Sequence, residues 1–162
     1  MYNNIAVIGV SGAIGSALIG KLALLEPDIR IHAFCRELAQ ESHENVIYHL
    51  IDYTDEQSIA DAAFVASNDA PLDMVIVATG ILHDGEIQPE KSLRDLSAEK
   101  FQHLFSINTI LPALIAKYFL PKLEVEKRAV FAVLSARVGS ISDNYLGGWY
   151  AYRTSKAALN MI

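Results

Sequence analysis

Cysteine is nearly absent from this chain, since Cys35 is the single one among 162 residues. One cysteine excludes a disulfide framework and a cysteine-based zinc site. The histidines show none of the paired spacings that are typical of metal ligands, and they are His32, His43, His49, His83 and His103. We therefore expect no metal centre in this protein.

Basic residues are also scarce. The chain has 13 Lys and Arg against 19 Asp and Glu, which gives a formal net charge of −6. Nucleic acids and anionic membranes are bound by clustered Lys and Arg, so we expect neither as a partner. No apolar run approaches the roughly 18 uninterrupted residues that a membrane-spanning helix needs. No basic segment precedes the first apolar run, which argues against a secretory signal and predicts a soluble, cytoplasmic protein.

Short apolar runs alternate with longer segments of helical period along the chain. The runs are almost continuously apolar, as in strands that are covered on both faces, and they lie at 5–8, 29–34, 46–51, 74–78 and 129–134. Helices are predicted at about 13–25, 55–68, 98–120 and 148–162. Pro112 should bend or break the third helix. This alternation predicts a single α/β domain over residues 1–162, built on a doubly wound parallel sheet.

The first predicted strand runs directly into a glycine-rich turn that is followed by a helix. Glycines at intervals of three let the backbone turn tightly, approach a pyrophosphate and pack the helix against the strand. The helix start then offers N–H groups and a positive dipole to phosphates. A turn without a ligand is the alternative, but the strand before it and the helix after it favour nucleotide binding. The expected contacts are Gly9, Ser11, Gly12, Ala13, Ile14 and Gly15.

The end of the second predicted strand indicates which nucleotide is bound. A carboxylate there accepts a hydrogen bond from the ribose 2′-hydroxyl of NAD(H), whereas an arginine accommodates the 2′-phosphate of NADP(H). The strand ends in Cys35-Arg36, with no carboxylate before Glu37. A guanidinium matches a phosphate in charge and geometry. NADP(H) is therefore the expected cofactor, with NAD(H) as the alternative if Arg36 is only an exposed arginine on a turn.

Tyr152 and Lys156 are four residues apart in the last predicted helix and therefore share one of its faces. A phenol has a pKa near ~10, and a nearby ammonium favours the phenolate, so proton exchange becomes feasible at neutral pH. The same spacing occurs in ordinary amphipathic helices. This pair alone therefore leaves both interpretations open.

Together, the glycine turn and the Tyr152-x-x-x-Lys156 pair resemble the short-chain dehydrogenase/reductase family over the whole chain. The segment 147–156, Gly-Gly-Trp-Tyr-Ala-Tyr-Arg-Thr-Ser-Lys, is most similar to the sniffer-like carbonyl reductases and C-factor-like proteins. The resemblance implies a Rossmann-type fold and reversible hydride transfer between NADP(H) and a small carbonyl or alcohol substrate. It also implies a homodimer or homotetramer that packs through the helices at 98–120 and 148 onward.

The same resemblance implies a role for each residue of a catalytic tetrad. Tyr152 would be the general acid/base, and Lys156 would lower the pKa of Tyr152 and bind the nicotinamide ribose. Asn108 matches the helix asparagine that holds a proton-relay water. Ser135 matches the serine that donates a hydrogen bond to the substrate carbonyl.

Further cofactor contacts follow from the resemblance, and some of them lie in a segment that departs from the family pattern. Asp52 matches the aspartate that contacts the adenine ring. The usual Asn-Asn-Ala-Gly after the fourth strand is here Val77-Ala78-Thr79-Gly80, which places Ala78, Thr79 and Gly80 at cofactor-binding positions.

The segment around Ser135 also departs from the family pattern, because Ala136 follows Ser135 where the family often has two serines. A one-residue step on a strand reverses the direction of a side chain. Ser140 and Ser142 are therefore alternative donors.

Two alternatives to a reductase stay open at this point. One is a nucleotide-binding regulatory or signalling protein of the same fold with little or no catalysis. The other is a sugar-nucleotide epimerase, which would use the same tyrosine and lysine but prefers NAD, against which Arg36 argues. The resemblance also implies that the chain is C-terminally incomplete, so that the expected strand order is 3-2-1-4-5 with the later strands missing.

Overall fold

The structure is a computed structural model that describes residues 2–25, 28–37, 43–85 and 87–162. Its strands are β1 (Asn4–Ile8), β2 (Arg30–Cys35), β3 (Val46–Leu50), β4 (Met74–Val77) and β5 (Val130–Val133). Its α-helices are α1 (Ala13–Leu25), α2 (Glu56–Ser67), α3 (Ala98–Phe105), α4 (Leu111–Phe119) and α5 (Tyr150–Met161). The contacts divide the chain into two compact units, the first Met1–Thr79 with Leu114–Val133 and the second Gly80–Ala113 with Leu134–Ile162.

The first unit contains a parallel five-stranded sheet in the order β3-β2-β1-β4-β5. The predicted doubly wound arrangement and its strand order 3-2-1-4-5 are therefore confirmed. All five residues of the central strand β1 are buried, which explains why its sequence is almost continuously apolar. The four residues of the edge strand β5 are only half-buried.

Helix packing in the first unit follows from its apolar side chains and one cap. Phe119, near the end of α4, meets Phe34 of β2 edge to face, with ring centroids 5.9 Å apart. Asp55 is the N-cap of α2, and its side chain accepts a hydrogen bond from the Gln57 N–H at 2.9 Å. A side-chain acceptor at this position satisfies one of the N–H groups that a helix start leaves unbonded.

The second unit contains α3, a π-helical segment Ser106–Ile110, the first residues of α4, and α5. The predicted break near Pro112 is confirmed, because the π segment interrupts the helix just before the proline. Leu111 donates its N–H five residues back, to the Ser106 carbonyl. Pro112 has no N–H, so the carbonyl four residues earlier, that of Asn108, loses its α-helical donor.

Among the described residues, one helical stretch, Ala98–Lys122, is long and apolar enough to cross a membrane by length and composition. Core helices of soluble proteins pass the same test, so this observation is weak evidence by itself.

Candidate functional site

The glycine turn between β1 and α1 is fixed by close backbone approaches. Gly9 has a φ of +92°, and a Cβ there would lie 2.9 Å from the Thr79 nitrogen. A Cβ at Gly15 would overlap the Gly9 carbonyl oxygen. By contrast, a Cβ at Gly12 would meet only that same oxygen, at an ordinary 3.5 Å. Packing therefore requires glycine at positions 9 and 15, while position 12 has room for a Cβ at ordinary contact distance.

The start of α1 presents three unused backbone donors. The N–H groups of Ala13, Ile14 and Gly15 bond to no acceptor in the described part of the chain. No acidic side chain occupies the first turn of α1. Unbonded N–H groups at the positive end of a helix dipole form an anion site. This arrangement fits the pyrophosphate of a dinucleotide.

A cavity of about 480 Å³ lies at the ends of β2 and β3, and it is lined by Arg36, Leu50, Ile51, Asp52 and Ser58. The structure thus brings the predicted residues Arg36 and Asp52 together. Asp52 Oδ1 accepts hydrogen bonds from the Thr54 N–H at 2.8 Å and the Thr54 hydroxyl at 2.7 Å. These bonds lower the pKa of Asp52, so its carboxylate is ionised at neutral pH.

Two buried hydroxyls in the first unit support the fit to a polar ligand. The Tyr53 hydroxyl and Thr79 Oγ1 have no hydrogen-bond partner among the residues described. Burial raises the pKa of Tyr53 to about 12, so its phenol is a neutral donor. Because buried polar groups are normally hydrogen-bonded, each such orphan calls for an explanation. Nucleotide binding close to Gly9, against which Thr79 packs, is one explanation that fits.

The neighbouring Ala78, also predicted as a cofactor contact, donates its N–H to the Ile8 carbonyl at 2.8 Å. This bond continues the β1–β4 ladder to the last position before Thr79.

Lys156 is the most unusual charged residue of the second unit. It is 3% exposed, and no carboxylate of the described residues lies within ion-pair distance of it. Its Nζ donates to the Leu134 carbonyl at 2.9 Å. A Cβ at Gly80 would lie 3.1 Å from this Nζ and 3.3 Å from Asn108 Oδ1, so a larger residue at position 80 would force these groups to shift. Burial lowers the pKa of Lys156.

Asn108 lies in the π segment and connects two parts of the second unit. Its Oδ1 accepts from the Ile81 N–H at 2.9 Å, while its Nδ2 donates to the Ile81 carbonyl at 2.9 Å and to Ser155 Oγ at 3.1 Å. Thr109 adds a hydrogen bond to the Ser155 carbonyl at 2.8 Å. The side chain of Asn108 therefore ties the π segment to α5, while its backbone carbonyl receives no hydrogen bond from position 112, which is a proline.

Tyr152 is half-buried in the first turn of α5. Its four-residue spacing from Lys156 places both side chains on one face of the helix. Burial raises the pKa of Tyr152, so the phenol keeps its proton at neutral pH. A protonated phenol is the form that donates a proton to a carbonyl oxygen.

The structure gives Ser135 a partner of its own. The Ser135 hydroxyl donates to Asn160 Oδ1 at 2.6 Å. Asn160 is two helical turns beyond Tyr152, which is about 12 Å along the helix axis. The catalytic role of Ser135 stays a prediction, since its hydroxyl would have to leave Asn160 to reach a substrate beside Tyr152. The hydroxyls of the alternative donors, Ser140 and Ser142, lie 3.3 Å apart.

Sequence reasoning missed Glu90, which is buried at the start of α5. Its carbonyl accepts from the Trp149 N–H at 2.7 Å, and its Oε2 accepts from the Ala151 N–H at 3.4 Å. One signal was present in the sequence. The residue before α5 is Trp149, which cannot cap a helix with its side chain, so an acceptor from elsewhere in the chain is required.

Comparison with known proteins gives consistent similarities. A 1-hydroxy-2-glutathionyl-2-methyl-3-butene dehydrogenase of Rhodococcus sp. is 32% identical over 113 residues, which cover 69% of this chain and 46% of that protein. The carbonyl reductase Sniffer of D. melanogaster superposes with a TM-score of 0.85 at 25% identity, covering 99% of this chain and 72% of Sniffer. The NADPH-bound carbonyl reductase from chicken fatty liver gives a TM-score of 0.81 at 25% identity, covering 99% of this chain and 68% of that one.

The chain spans about half the length of the Rhodococcus relative. The family model described as "short chain dehydrogenase" matches residues 3–162. That match takes in both the glycine turn and the Tyr152–Lys156 pair, and on this evidence the chain belongs to the short-chain dehydrogenase family.

Proposed function

We propose that this chain binds NADP(H) and reduces a small carbonyl compound, or oxidises the corresponding alcohol, with Tyr152 as general acid/base. The observation that carries the proposal is the buried ammonium of Lys156 on the face of α5 that also bears Tyr152. A buried charge is costly unless it is paired. Because no carboxylate of the described residues pairs with Lys156, a role in binding or catalysis accounts for it better than a structural role.

The first unit supplies the groups that would hold the cofactor. The free amides of Ala13, Ile14 and Gly15 suit the pyrophosphate, and Arg36 suits a 2′-phosphate. Asp52 lines the same cavity as Arg36 and offers Oδ2, which takes no part in its turn, to an adenine amino group. When bound, the nicotinamide supplies the hydride that reduces the carbonyl carbon.

The second unit would supply the proton. Tyr152 donates its phenolic proton to the substrate oxygen as that oxygen gains negative charge. The ammonium of Lys156 then stabilises the resulting phenolate by its positive charge. The backbone carbonyl of Asn108, which receives no hydrogen bond from Pro112, offers an acceptor for a water that returns a proton to Tyr152. A hydroxyl donor to the substrate carbonyl would come from Ser135 or from the pair Ser140 and Ser142.

The test of this proposal is Tyr152→Phe, assayed with NADPH over ketones, aldehydes and quinones. The variant should bind NADPH as the wild type does and lose turnover by about 100- to 10,000-fold, because a general acid contributes that much. Tyr150→Phe, in the same turn of α5, is the matched control and should keep full turnover. Near-normal turnover in Tyr152→Phe would refute the assignment.

One observation favours a second candidate function, that of a nucleotide-binding regulatory protein with little catalysis. The hydroxyl of Ser135 is engaged by Asn160, so the predicted carbonyl donor is not free in this structure. A protein that binds NADPH but turns over no compound of the panel would support this candidate. The cytoplasmic location and the homodimer or homotetramer stay predictions from the sequence.

A further inference from the structure

Glu90 contributes a buried side chain to the start of the helix that carries Tyr152 and Lys156. It is 2% exposed, although it lies in the polar loop that precedes α3. Two N–H groups of the α5 start bond to it, that of Trp149 through the Glu90 carbonyl at 2.7 Å and that of Ala151 through Oε2 at 3.4 Å. The first N–H groups of a helix have no acceptors within the helix, so these bonds are what secures the α5 start.

The sequence before α5 is shaped for this contact. Gly147 and Gly148 have φ values of +63° and +70°, and Trp149 follows with a left-handed φ of 52°. A Cβ at Gly148 would lie 3.2 Å from the Glu90 carbonyl oxygen, which leaves little room for a side chain. These three left-handed residues turn the backbone so that the Trp149 and Ala151 N–H groups face Glu90.

The contact also stabilises the buried carboxyl group of Glu90. No basic side chain of the described residues forms an ion pair with its carboxyl group. A buried carboxyl group is costly unless its oxygens accept hydrogen bonds. The N–H groups and the positive dipole end of α5 provide that compensation.

The consequence for the site differs between its two key residues. Tyr152 is the third residue of α5 and lies in the turn that Glu90 holds. Lys156 lies one turn later and has separate anchors. Its Nζ bonds to Leu134, and a Cβ at Gly139 would lie only 2.9 Å from its backbone carbonyl carbon. Loosening the first turn should therefore move the phenol and leave the lysine in place.

We propose that Glu90 is a positioning residue for Tyr152, because it accepts hydrogen bonds from the N–H groups at the start of α5 and so fixes the first turn of that helix. The catalytic consequence of this contact rests on the proposed function, whereas the stabilisation of the α5 start by Glu90 does not. The two can therefore be tested by separate measurements on the same chain.

The kinetic measurement compares Glu90→Ala, Glu90→Gln and the control Glu99→Gln, which alters an exposed glutamate in the first turn of α3. Glu90→Ala should lower kcat about 100-fold, the effect of a displacement near 1 Å, and leave the Kd of NADPH unchanged. Glu90→Gln keeps an acceptor oxygen and should recover most of kcat. Glu99→Gln should match the wild type. Equal losses in kcat and NADPH affinity would indicate general unfolding and overturn the positioning role.

The structural measurement is amide hydrogen exchange along α5. In Glu90→Ala, residues 151–153 should exchange faster, because the variant loses the side-chain acceptor of the Ala151 N–H, while 157–161 keep their wild-type rates. If Glu90→Ala does not fold, Gly148→Ala probes the same contact by displacing the Glu90 carbonyl, and it should accelerate the same amides. Unchanged exchange at 151–153 overturns the inference, whatever the activity. If the wild type reduces nothing, the proposed function fails, and the exchange rate of the Tyr152 amide still decides whether Glu90 positions it.

Discussion

The first backbone N–H groups of α1 and of α5 have no acceptors within their own helices, yet the two helix starts differ in what lies against them. At α1, the amides of Ala13, Ile14 and Gly15 have no acceptor among the residues that the structure describes, and no acidic residue lies in the first turn. At α5, the buried Glu90 takes the N–H groups of Trp149 and Ala151. The first N–H groups of a helix are thus available to a ligand at α1, whereas at α5 they bind an acceptor of the protein itself.

The difference between the two starts lies in the residues that lead into them. Gly9 and Gly15 allow close backbone approaches in the turn before α1 that a Cβ would prevent. No acceptor of the described residues reaches the amides at its start, which leaves the helix dipole for an external anion. Gly147 and Gly148 instead bring the α5 start onto an acid of the same unit. A helix start is therefore a binding site only where the preceding turn leaves it uncovered.

The largest expected effect comes from Gly15→Ala, which adds a methyl group at the start of α1. The Cβ of Gly15→Ala would overlap the Gly9 carbonyl oxygen, so the turn must shift. Overpacking of this kind costs about 1–3 kcal/mol in the free energy of unfolding. We expect NADPH and NADH affinity both to fall by about 100-fold or more, measured as Kd by quenching of protein fluorescence.

Gly20→Ala is the matched control for that variant. Gly20 lies in the same helix, and a Cβ there would meet nothing within 4 Å. The substitution should raise the free energy of unfolding by up to about 1 kcal/mol, since alanine favours helix over glycine. Equal losses of NADPH affinity in both variants would mean that the close approach at Gly15 is not what keeps the α1 start open.

A smaller effect is expected at Arg36, which would distinguish the two cofactors while the α1 start binds both. Arg36→Asp should weaken NADPH binding about tenfold, because one exposed charge-assisted contact to the 2′-phosphate is lost. NADH, which has no such phosphate, should bind as well or better. The measurement is the ratio of the two Kd values. An unchanged ratio would show that Arg36 is an ordinary surface arginine.

Much of the fold could be predicted because its signals are local. Continuous apolar runs predicted the five strands, and the glycine turn predicted the start of α1 at its observed position. Pro112 predicted a break in the long helix, since a proline removes a hydrogen bond wherever it stands. The π segment itself was not predicted, and neither were the bonds that its Asn108 makes to Ile81 and Ser155, which are distant in sequence.

The missed parts of the site depend on residues that are distant in sequence. Glu90 stands 61 positions from the Ala151 amide that it accepts from, and a lone glutamate in a polar loop has no local pattern. The orientation of Ser135 was equally hidden, because a single-residue step at a strand end decides which way a hydroxyl points. Motifs therefore identify Tyr152 and Lys156, but they do not identify the residues that hold them.

The smallest expected effect tests whether the α1 start can be made to resemble that of α5. Ala13→Asp places an acid in the first turn of α1, where the open amides lie. The new carboxylate should raise the free energy of unfolding by about 0.5 kcal/mol through the helix dipole. It should also weaken NADPH binding about fivefold, because the carboxylate repels the pyrophosphate. The repulsion between two such charges in water is about 1 kcal/mol, which corresponds to that change in Kd.

Ala13→Asn, nearly the same in shape but uncharged, separates charge from size in that experiment. Its NADPH Kd should stay close to that of the wild type, and the effect of Ala13→Asp should shrink at high salt because exposed charges are screened. Greater stability together with weaker binding in the aspartate variant alone would show that an acid can satisfy the α1 start in place of a ligand. Weaker binding in both variants, at every salt concentration, would show that the side chain at position 13 simply obstructs the phosphates.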